Sequence, residues 1–413
     1  MFSFQPVTVD DVAVELRKLQ SRKSVGQDGV PNELLKLSCL QIAQHLTTLF
    51  NRSLSEGVFP RSLKDAILAP QLKYGKDAAL PIFYRPIALL SNISKVFERL
   101  VHKQLMTHCL TKGILPDEQF DFLKGRSAKW QLLYLLQRWH EALDKKRCVH
   151  AVFLDAAKAF DRVDHSMLLS KLCGIGLDGP ALSWLRSYLS DRRIMSRVDD
   201  AVSDPLHITS GVPQGSVLGP LLFIIYFKDI PSVTQACSAL FADDTLLFHD
   251  DCQGANGCCS LSSDLSDIST WAAQSNVSFN ATKSAELRLG RTASSDALSL
   301  DGHCVNRVSS KLHLGATLAA NLSWNDHVNR VLQNISGSLA LCKNLGYRHR
   351  LPSKPLRIFF LAYMRPRLEY CSAVWSGCPR RLQLRLEKVQ IQAARAITRV
   401  YNLPNHQLLH LAN

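Results

Sequence analysis

Apolar residues recur at helical spacing near the N-terminus, where Val12, Leu16 and Leu19 follow the acidic start Val9-Asp10-Asp11 and predict a helix. Ser24-Val25-Gly26-Gln27-Asp28-Gly29 is loop by composition. A second helix follows from about Pro31, with Leu34, Leu35, Ile42, Leu46 and Leu49 as its apolar positions. Residues 66–69 read as a strand, Lys73-Tyr74-Gly75-Lys76 as a basic turn, and the segments around 94–107 and 129–143 as helices. The compact apolar run 149–154 predicts a strand ending at Asp155, followed by a helical stretch over 165–189. Thr209 to Ser216 is a Gly/Pro loop that opens an apolar helix. Two apolar runs, 239–242 and 245–248, flank Asp243-Asp244 and predict a β-hairpin. A helix over 261–274 and a turn at Asn280-Ala281-Thr282-Lys283 lead into a strand at 285–289. The order β–α–β–β–α–β is the split, ferredoxin-like pattern. From about Trp324 the chain reads as mostly helical, and no internal repeat is visible.

Composition narrows the class. The chain has 413 residues, of which 46% are hydrophobic and 20% charged, so it is not an intrinsically disordered or low-complexity sequence. This length predicts two or three domains. No basic segment followed by an apolar run marks a signal peptide at the start. The longest apolar run, 217–227, is broken by Gly219 and Pro220, and is short of the roughly 20 residues that span a bilayer. The expectation is a soluble intracellular protein, nuclear or cytoplasmic, with no membrane partner. Twelve scattered cysteines fit reduced thiols. Cys252, Cys258 and Cys259 cluster, but without paired C-x-x-C spacing or a nearby His pair, which argues against zinc.

The net charge is +14 and is unevenly spread. Between Lys343 and Asn413, thirteen Lys and Arg face only Glu369 and Glu387. Arg381, Arg385, Lys388, Arg395 and Arg399 fall at helical spacing beside an apolar stripe of Leu382, Leu386, Val389, Ala393 and Val400. One face can pack while the next presents a row of cations. A solvated surface helix normally mixes both signs of charge, so a helix tracking a phosphate backbone is the favoured reading.

The candidate chemistry lies in carboxylates at strand ends. Asp155 caps the first central strand, and Asp243-Asp244 sits at the hairpin tip. In a split β–α–β sheet the first strand and the hairpin are neighbours, so these carboxylates would converge. Asp at a hairpin tip is also ordinary turn chemistry, and Asp155 alone could be an N-cap for the next segment. Asp161 and Asp164 are expected to stabilise the local turn or to pair with Arg162. Converging carboxylates repel unless cations hold them, and hard divalent ions such as Mg²⁺ suit oxygen donors. Paired ions of this kind support in-line phosphoryl displacement.

Seven ordered segments carry a resemblance. Phe153-Leu154-Asp155 through Phe160-Asp161-Arg162-Val163-Asp164-His165 resembles motif A of reverse transcriptases from non-LTR retrotransposons of the LINE-type, Jockey-like branch. Ser210 through Pro220 resembles motif B, Phe241-Ala242-Asp243-Asp244 motif C, and Asn280-Ala281-Thr282-Lys283 motif D. Tyr84-Arg85-Pro86-Ile87 and Gln119-Phe120 through Arg126-Ser127 are similar to finger motifs. Lys23 to Gly29 looks like the extra N-terminal motif of this branch. The resemblance runs from about residue 1 to about residue 400.

The resemblance implies an α+β right-hand polymerase. Fingers would occupy 1–147, interleaved with a split β–α–β palm over 148–315, and a basic helical thumb, truncated at its end, would occupy 316–413. It implies RNA-directed DNA synthesis on an RNA template from a DNA primer with dNTPs. Asp155, Asp243 and Asp244 would hold two Mg²⁺ ions, for which Mn²⁺ can substitute. Phe160 would lie under the incoming sugar and reject a 2′-hydroxyl. Lys73 and Arg85 would reach the triphosphate, Gln214 and Gly215 would let the backbone approach nucleotide and template, and Lys283 would protonate pyrophosphate. Arg381, Arg385, Lys388, Arg395 and Arg399 would grip the duplex. The chain departs from the pattern at Asp121, Ala128 and Lys228, where Gly, Thr and Asn are usual. It also shows no zinc-knuckle or ribonuclease H pattern, and an endonuclease domain or protein is expected as a missing partner. Two alternatives share the fold: a catalytically decayed remnant that still binds nucleic acid, and a group II intron-type maturase. A plain metal-dependent nuclease leaves motif B and Phe160 unexplained.

Overall fold

The computed structural model describes residues 1–73, 75–199, 201–252, 256–290 and 297–412. Contacts divide the chain into two compact units that alternate along it. The first comprises Met1–Lys124, Asp155–Thr245 and Asp264–Asn280; the second comprises Gly125–Leu154, Leu246–Ser263 and Ala281–Asn413. Among the described residues no helix is long and apolar enough to cross a membrane. The side chains of Cys252, Cys258 and Cys259 lie outside the described residues.

In the first unit the opening helix, Val9–Arg17, starts at a capping box. The Thr8 hydroxyl accepts from the Asp11 N–H, and the Asp11 carboxylate accepts from the Thr8 N–H. The second expected helix is two, Asn32–Leu37 and Cys39–Glu56. The latter's buried face is Cys39, Ala43, Thr47, Phe50 and Leu54, not the leucine set read from the sequence, and Leu34 and Leu49 are exposed. Small residues at 39, 43 and 47 let neighbouring elements approach closely.

A small sheet comes next. Ala66–Leu72 pairs antiparallel with Tyr84–Leu90 and parallel with Arg192–Val198, which also pairs with Leu206–Ile208. The strands between 192 and 208 were not anticipated, because most of their residues are exposed and Arg192, Arg193, Ser196, Arg197 and His207 interrupt their apolar positions. The expected 165–189 helix is broken at Gly176 into His165–Gly174 and Gly179–Leu189.

At the centre is the helix Leu218–Phe227, apolar on every side and buried except at Pro220. Its N-terminal N–H groups therefore have no water to bond. Glu98 replaces it. This carboxylate, on the helix Asn92–Thr111, is fully buried. It accepts from the N–H groups of Val217 (2.7 Å) and Leu218 (3.1 Å), from Ser94 Oγ (2.9 Å) and from Tyr188 Oη (3.2 Å). Ser216 Oγ takes the next donor, Gly219 N–H, at 2.9 Å. Tyr188 is delivered by an aromatic cluster in which Phe59 meets Tyr188 and Trp184 edge to face, and Phe50 stacks on Phe97 at 4.2 Å.

In the second unit Cys148–Asp155 pairs antiparallel with Ala285–Leu289, which pairs parallel with Asn306–Val308. Asp155, the last residue of that strand, is counted with the first unit. A hairpin, Ser310–His313 with Ala316–Ala319, precedes the helices Asn325–Lys343 and Arg380–Thr398. These helices share a core that includes Ile335, Cys342, Met364, Leu382, Leu386 and Ala393. Gly346 sits where a Cβ would lie 2.4 Å from the Ala396 carbonyl, so only glycine allows this approach.

Replacing Glu98 by Ala would strand two N–H groups and two hydroxyls in a dry core. The expected loss of unfolding free energy is about 3 kcal/mol or more, and Glu98→Gln, which keeps an acceptor oxygen, loses less. Urea unfolding followed by circular dichroism measures this. A loss below about 1 kcal/mol for Glu98→Ala would show that the carboxylate is not what satisfies the helix end.

Candidate active site

The site is assembled within the first unit from three backbone segments. The strand Cys148–Asp155 ends at Asp155, whose carbonyl accepts from Asn280 N–H at 2.8 Å. After it the chain turns through Lys158, at φ 51°, into the short helix Ala159–Arg162. The strand Cys237–Phe241 is followed two residues later by Asp244–Cys252. Ala242, at φ 53°, makes that reversal and leaves Asp243 at the tip. Left-handed backbone at a non-glycine residue costs roughly 1–2 kcal/mol and tends to persist where the surroundings over-determine it.

The Asp155 charge bears on Asp243. Burial, with the Asp155 charge adding to it, pushes the Asp243 carboxyl above the ordinary carboxylate range. Burial also raises Asp121, and Asp243 adds to that shift. Asp244 is exposed. Among the described residues no three His, Cys, Asp or Glu side chains form a group that could hold a metal ion. Two carboxylates held together against their repulsion are nonetheless an oxygen-donor set that a hard divalent cation would relieve, so Asp155 and Asp243 fit such an ion.

The loop before the buried helix clasps the 160–163 segment that follows Asp155. Gly211 N–H donates to Val163 O at 2.7 Å and Val212 N–H to Phe160 O at 2.9 Å. A Cβ on Gly211, whose φ is 84°, would lie 2.8 Å from the Asp161 carbonyl. Gln214 Nε2 donates to Asp161 Oδ1 at 2.8 Å, so Asp161 pairs with Gln214 and not with Arg162, which donates to Ser278 Oγ. Desolvation pushes the Asp161 carboxyl up, and the Gln214 hydrogen bond pulls it down. Asp164 caps the helix His165–Gly174 by accepting from Met167 N–H at 2.8 Å. Gly215 has φ 117°, and a Cβ there would meet Ala88 O at 2.5 Å, while Gln214 O accepts from Ala88 N–H at 2.7 Å. The need for glycine at 215 is thus set by the strand Tyr84–Leu90. Phe160 stacks on Phe223 with centroids 4.0 Å apart and planes at 9°.

The remaining candidates lie on other elements. Arg85 pairs in register with Gln71, and Lys73 N–H donates to Phe83 O at 2.9 Å, so Lys73 and Arg85 lie on one hairpin and by alternation on one face. A cleft of about 350 Å³ opens beside this hairpin, between Ala88, Asp161, Arg192 and Gln214, and does not include Asp155 or Asp243 in its walls. Lys283 is in the second unit, with an exposed side chain. Also there, Arg381 and Arg385 donate to Asn325 Oδ1 (3.1 Å) and Asn329 Oδ1 (2.8 Å), and Lys388 is exposed. Arg395 is half-buried. Arg399 leaves the row: it lies past the helix end at φ 58° and donates to the carbonyls of Gly346 and Leu351. Sequence reasoning missed Glu98, although a carboxylate in line with Ser94, Val101 and Leu105 on a packed helix face was a visible signal. It also missed the left-handed residues, which no pattern marks.

A family model described as reverse transcriptase (RNA-dependent DNA polymerase) matches residues 76–336. The chain is 31% identical over 409 residues to a probable RNA-directed DNA polymerase from transposon BS of Drosophila melanogaster, covering 95% of this chain and 45% of that protein. It is 30% identical over 409 residues to the RNA-directed DNA polymerase from mobile element jockey of the same species, covering 96% and 44%. A solved structure of telomerase from Candida tropicalis in complex with a fragment of telomeric RNA aligns at TM-score 0.45 and 11% identity, over 90% of this chain and 68% of that one. The chain spans a little under half the length of these curated relatives.

The raised Asp243 has a stability consequence. Its folded form holds a proton at pH values where the unfolded chain has released one, so stability falls as pH rises from the ordinary carboxylate value through the folded one. Metal-free Asp243→Asn is therefore expected to melt higher than the parent at pH 7, with the difference shrinking towards pH 4. Adding Mg²⁺ is expected to raise the melting temperature of the parent and not of the variant. Melting curves across pH with a chelator, then with Mg²⁺, test both; equal curves would mean that Asp243 carries neither the repulsion nor the ion.

Proposed function

The chain belongs to the reverse transcriptase (RNA-dependent DNA polymerase) family, and from that premise we propose that it carries out RNA-directed DNA synthesis for a non-LTR retrotransposon. The observation that carries this reading is the Asp155–Asp243 pair at two strand ends, beside a clasped loop that sets Phe160. A primer 3′-hydroxyl attacks the α-phosphate of a deoxynucleoside triphosphate, and pyrophosphate leaves. Asp155 and Asp243 would hold Mg²⁺, with Asp244 beside them; when bound, such ions lower the pKa of the hydroxyl and offset charge on the phosphoryl group.

The chain's own residues bind and orient. Arg85 offers a planar, bidentate guanidinium to phosphate oxygens and Lys73 a point charge on the same hairpin face. Phe160 occupies the space that a 2′-hydroxyl needs. Gln214, tied to Asp161, keeps the loop against that segment. Lys283 supplies a proton to departing pyrophosphate. Fingers over 1–147, palm over 148–315 and thumb over 316–413 are the corresponding division of labour. The template is RNA, the primer is DNA, and an endonuclease domain or protein is the partner that would nick the target. The work requires access to nucleic acid in the nucleus or cytoplasm. Arg381, Arg385, Lys388 and Arg395 grip the duplex through its phosphates, and Arg399 contributes to that helix by closing its end.

Primer extension on an RNA template with Mg²⁺ or Mn²⁺ tests the activity. Extension is expected from the parent and not from Asp243→Asn, with duplex binding retained in both. Extension that survives the substitution would remove Asp243 from the metal site, and no extension from the parent would leave the reading of a nucleic-acid-binding remnant. For the grip, replacing Arg381 and Arg385 together by Ala is expected to weaken duplex binding and to flatten the slope of log affinity against log salt by about 1–2. An unchanged slope would take this helix off the phosphate backbone.

A further inference from the structure

We propose that Phe122 is a positioning residue for the sugar gate: its ring, set across Phe160, holds the gate ring in place and sharpens the choice of deoxyribose over ribose. This deepens the proposed function and rests on Phe160 meeting the sugar of the incoming nucleotide.

Excluding one hydroxyl by clash demands a ring that does not yield. A displacement of about 1 Å would open the space that the oxygen needs. Phe160 stands on a helix of only four residues that begins at the left-handed Lys158, so its backbone offers little restraint. Its neighbours supply the rest. Phe223, on the buried helix, covers one face of the ring. Parallel rings block approach along the normal but resist sliding only weakly. Phe122 lies at a centroid distance of 6.3 Å with its plane at 84° to Phe160, the edge-to-face geometry that opposes sliding and tilting.

Phe122 is not placed there to fill a core. It is 41% exposed, and its φ of 56° is a conformation that an aromatic residue rarely adopts. A ladder of bonds keeps it in place. Asp121 N–H donates to the Oε1 of the buried Gln119 at 3.0 Å, and Phe122 N–H donates to Asp121 Oδ1 at 2.9 Å. Just upstream, Phe120 N–H donates to Leu240 O and Leu240 N–H to Glu118 O, each at 2.8 Å. Leu240 belongs to the strand that leads to Asp243. The rungs that fix the catalytic strand therefore also fix the gate's side support. A strained, half-exposed aromatic held this firmly, with its ring against Phe160, has a use in holding that ring.

Single-nucleotide incorporation with the full chain compares dNTP and rNTP for the parent, Phe122→Leu, Phe122→Tyr, Phe160→Val and the double variant Phe122→Leu/Phe160→Val, with melting temperatures alongside. Phe160→Val is expected to admit ribonucleotides. Phe122→Leu is expected to raise the rNTP-to-dNTP ratio of kcat/KM by about three- to tenfold, the weight of one aromatic contact, mainly through a lower KM for the ribonucleotide. Phe122→Tyr, which keeps the ring, should restore the parent ratio. The double variant should not exceed Phe160→Val, because no gate ring remains to be positioned. Should Phe122→Leu fail to fold, Phe122→Met carries the same comparison. An unchanged ratio at position 122 while Phe160→Val opens the site, or an increment at 122 that persists in the double variant, overturns the positioning role. If Phe160→Val itself leaves the ratio unchanged, the gate reading falls, and this inference with it.

Discussion

A helix with no polar side must be buried along its whole length, and its open N-terminus then has to be satisfied from inside the protein. Leu218–Phe227 is such a helix, and the Glu98 carboxylate meets its first donors. Much of the site depends on that bond. With residue 217 anchored, the preceding loop has a fixed end, and its glycines can press against the 160–163 backbone on one side and Ala88 on the other. The same helix carries Phe223, the platform beneath Phe160. A buried charge that receives four hydrogen bonds is an exacting way to hold a loop, since the loss of any partner leaves the rest uncompensated.

Around that anchor the site accumulates unfavourable terms that a fold alone would avoid. Lys158, Ala242 and Phe122 are all left-handed, and Asp121 and Asp243 are both pushed towards protonation by burial. Strain and like charge gathered in one place are the mark of a site shaped for a ligand rather than for stability.

The strands and loops that carry this chemistry were legible in the chain. The run ending at Asp155, the Gly/Pro loop and the tip at Asp243 each declare themselves through local composition, and the observed strands Cys148–Asp155 and Ala285–Leu289 fall where a continuous apolar run and a preceding turn put them. What was hidden is long-range. Glu98 meets partners 119 and 120 residues away, which no window along the chain reveals. The face of Cys39–Glu56 differs from the sequence reading because Cys39, Ala43 and Thr47, with Phe50 and Leu54, mark its contact, and Ile42, Leu46 and Leu49 do not. Arg399 looked like one more cation in a row until its left-handed backbone turned its guanidinium onto two carbonyls. Gly215 looked like clearance for a ligand, and its crowding comes from a neighbouring strand.

The alternation of the two units along the chain sets the order in which the protein can be completed during synthesis. The first unit closes only when residues 264–280 reach it, since Ser278 and Asn280 bond to Ala157 and Asp155. At ribosomal rates of about 5–20 residues per second, the first 124 residues wait roughly eight to thirty seconds for that closing piece. The aromatic cluster lacks Trp184 and Tyr188, and the Glu98 carboxylate its helix donors at 217 and 218, until those residues emerge part-way through that interval. A nascent chain of this kind depends on being shielded while it waits, and a stalled ribosome anywhere before residue 264 would leave a first unit that cannot close.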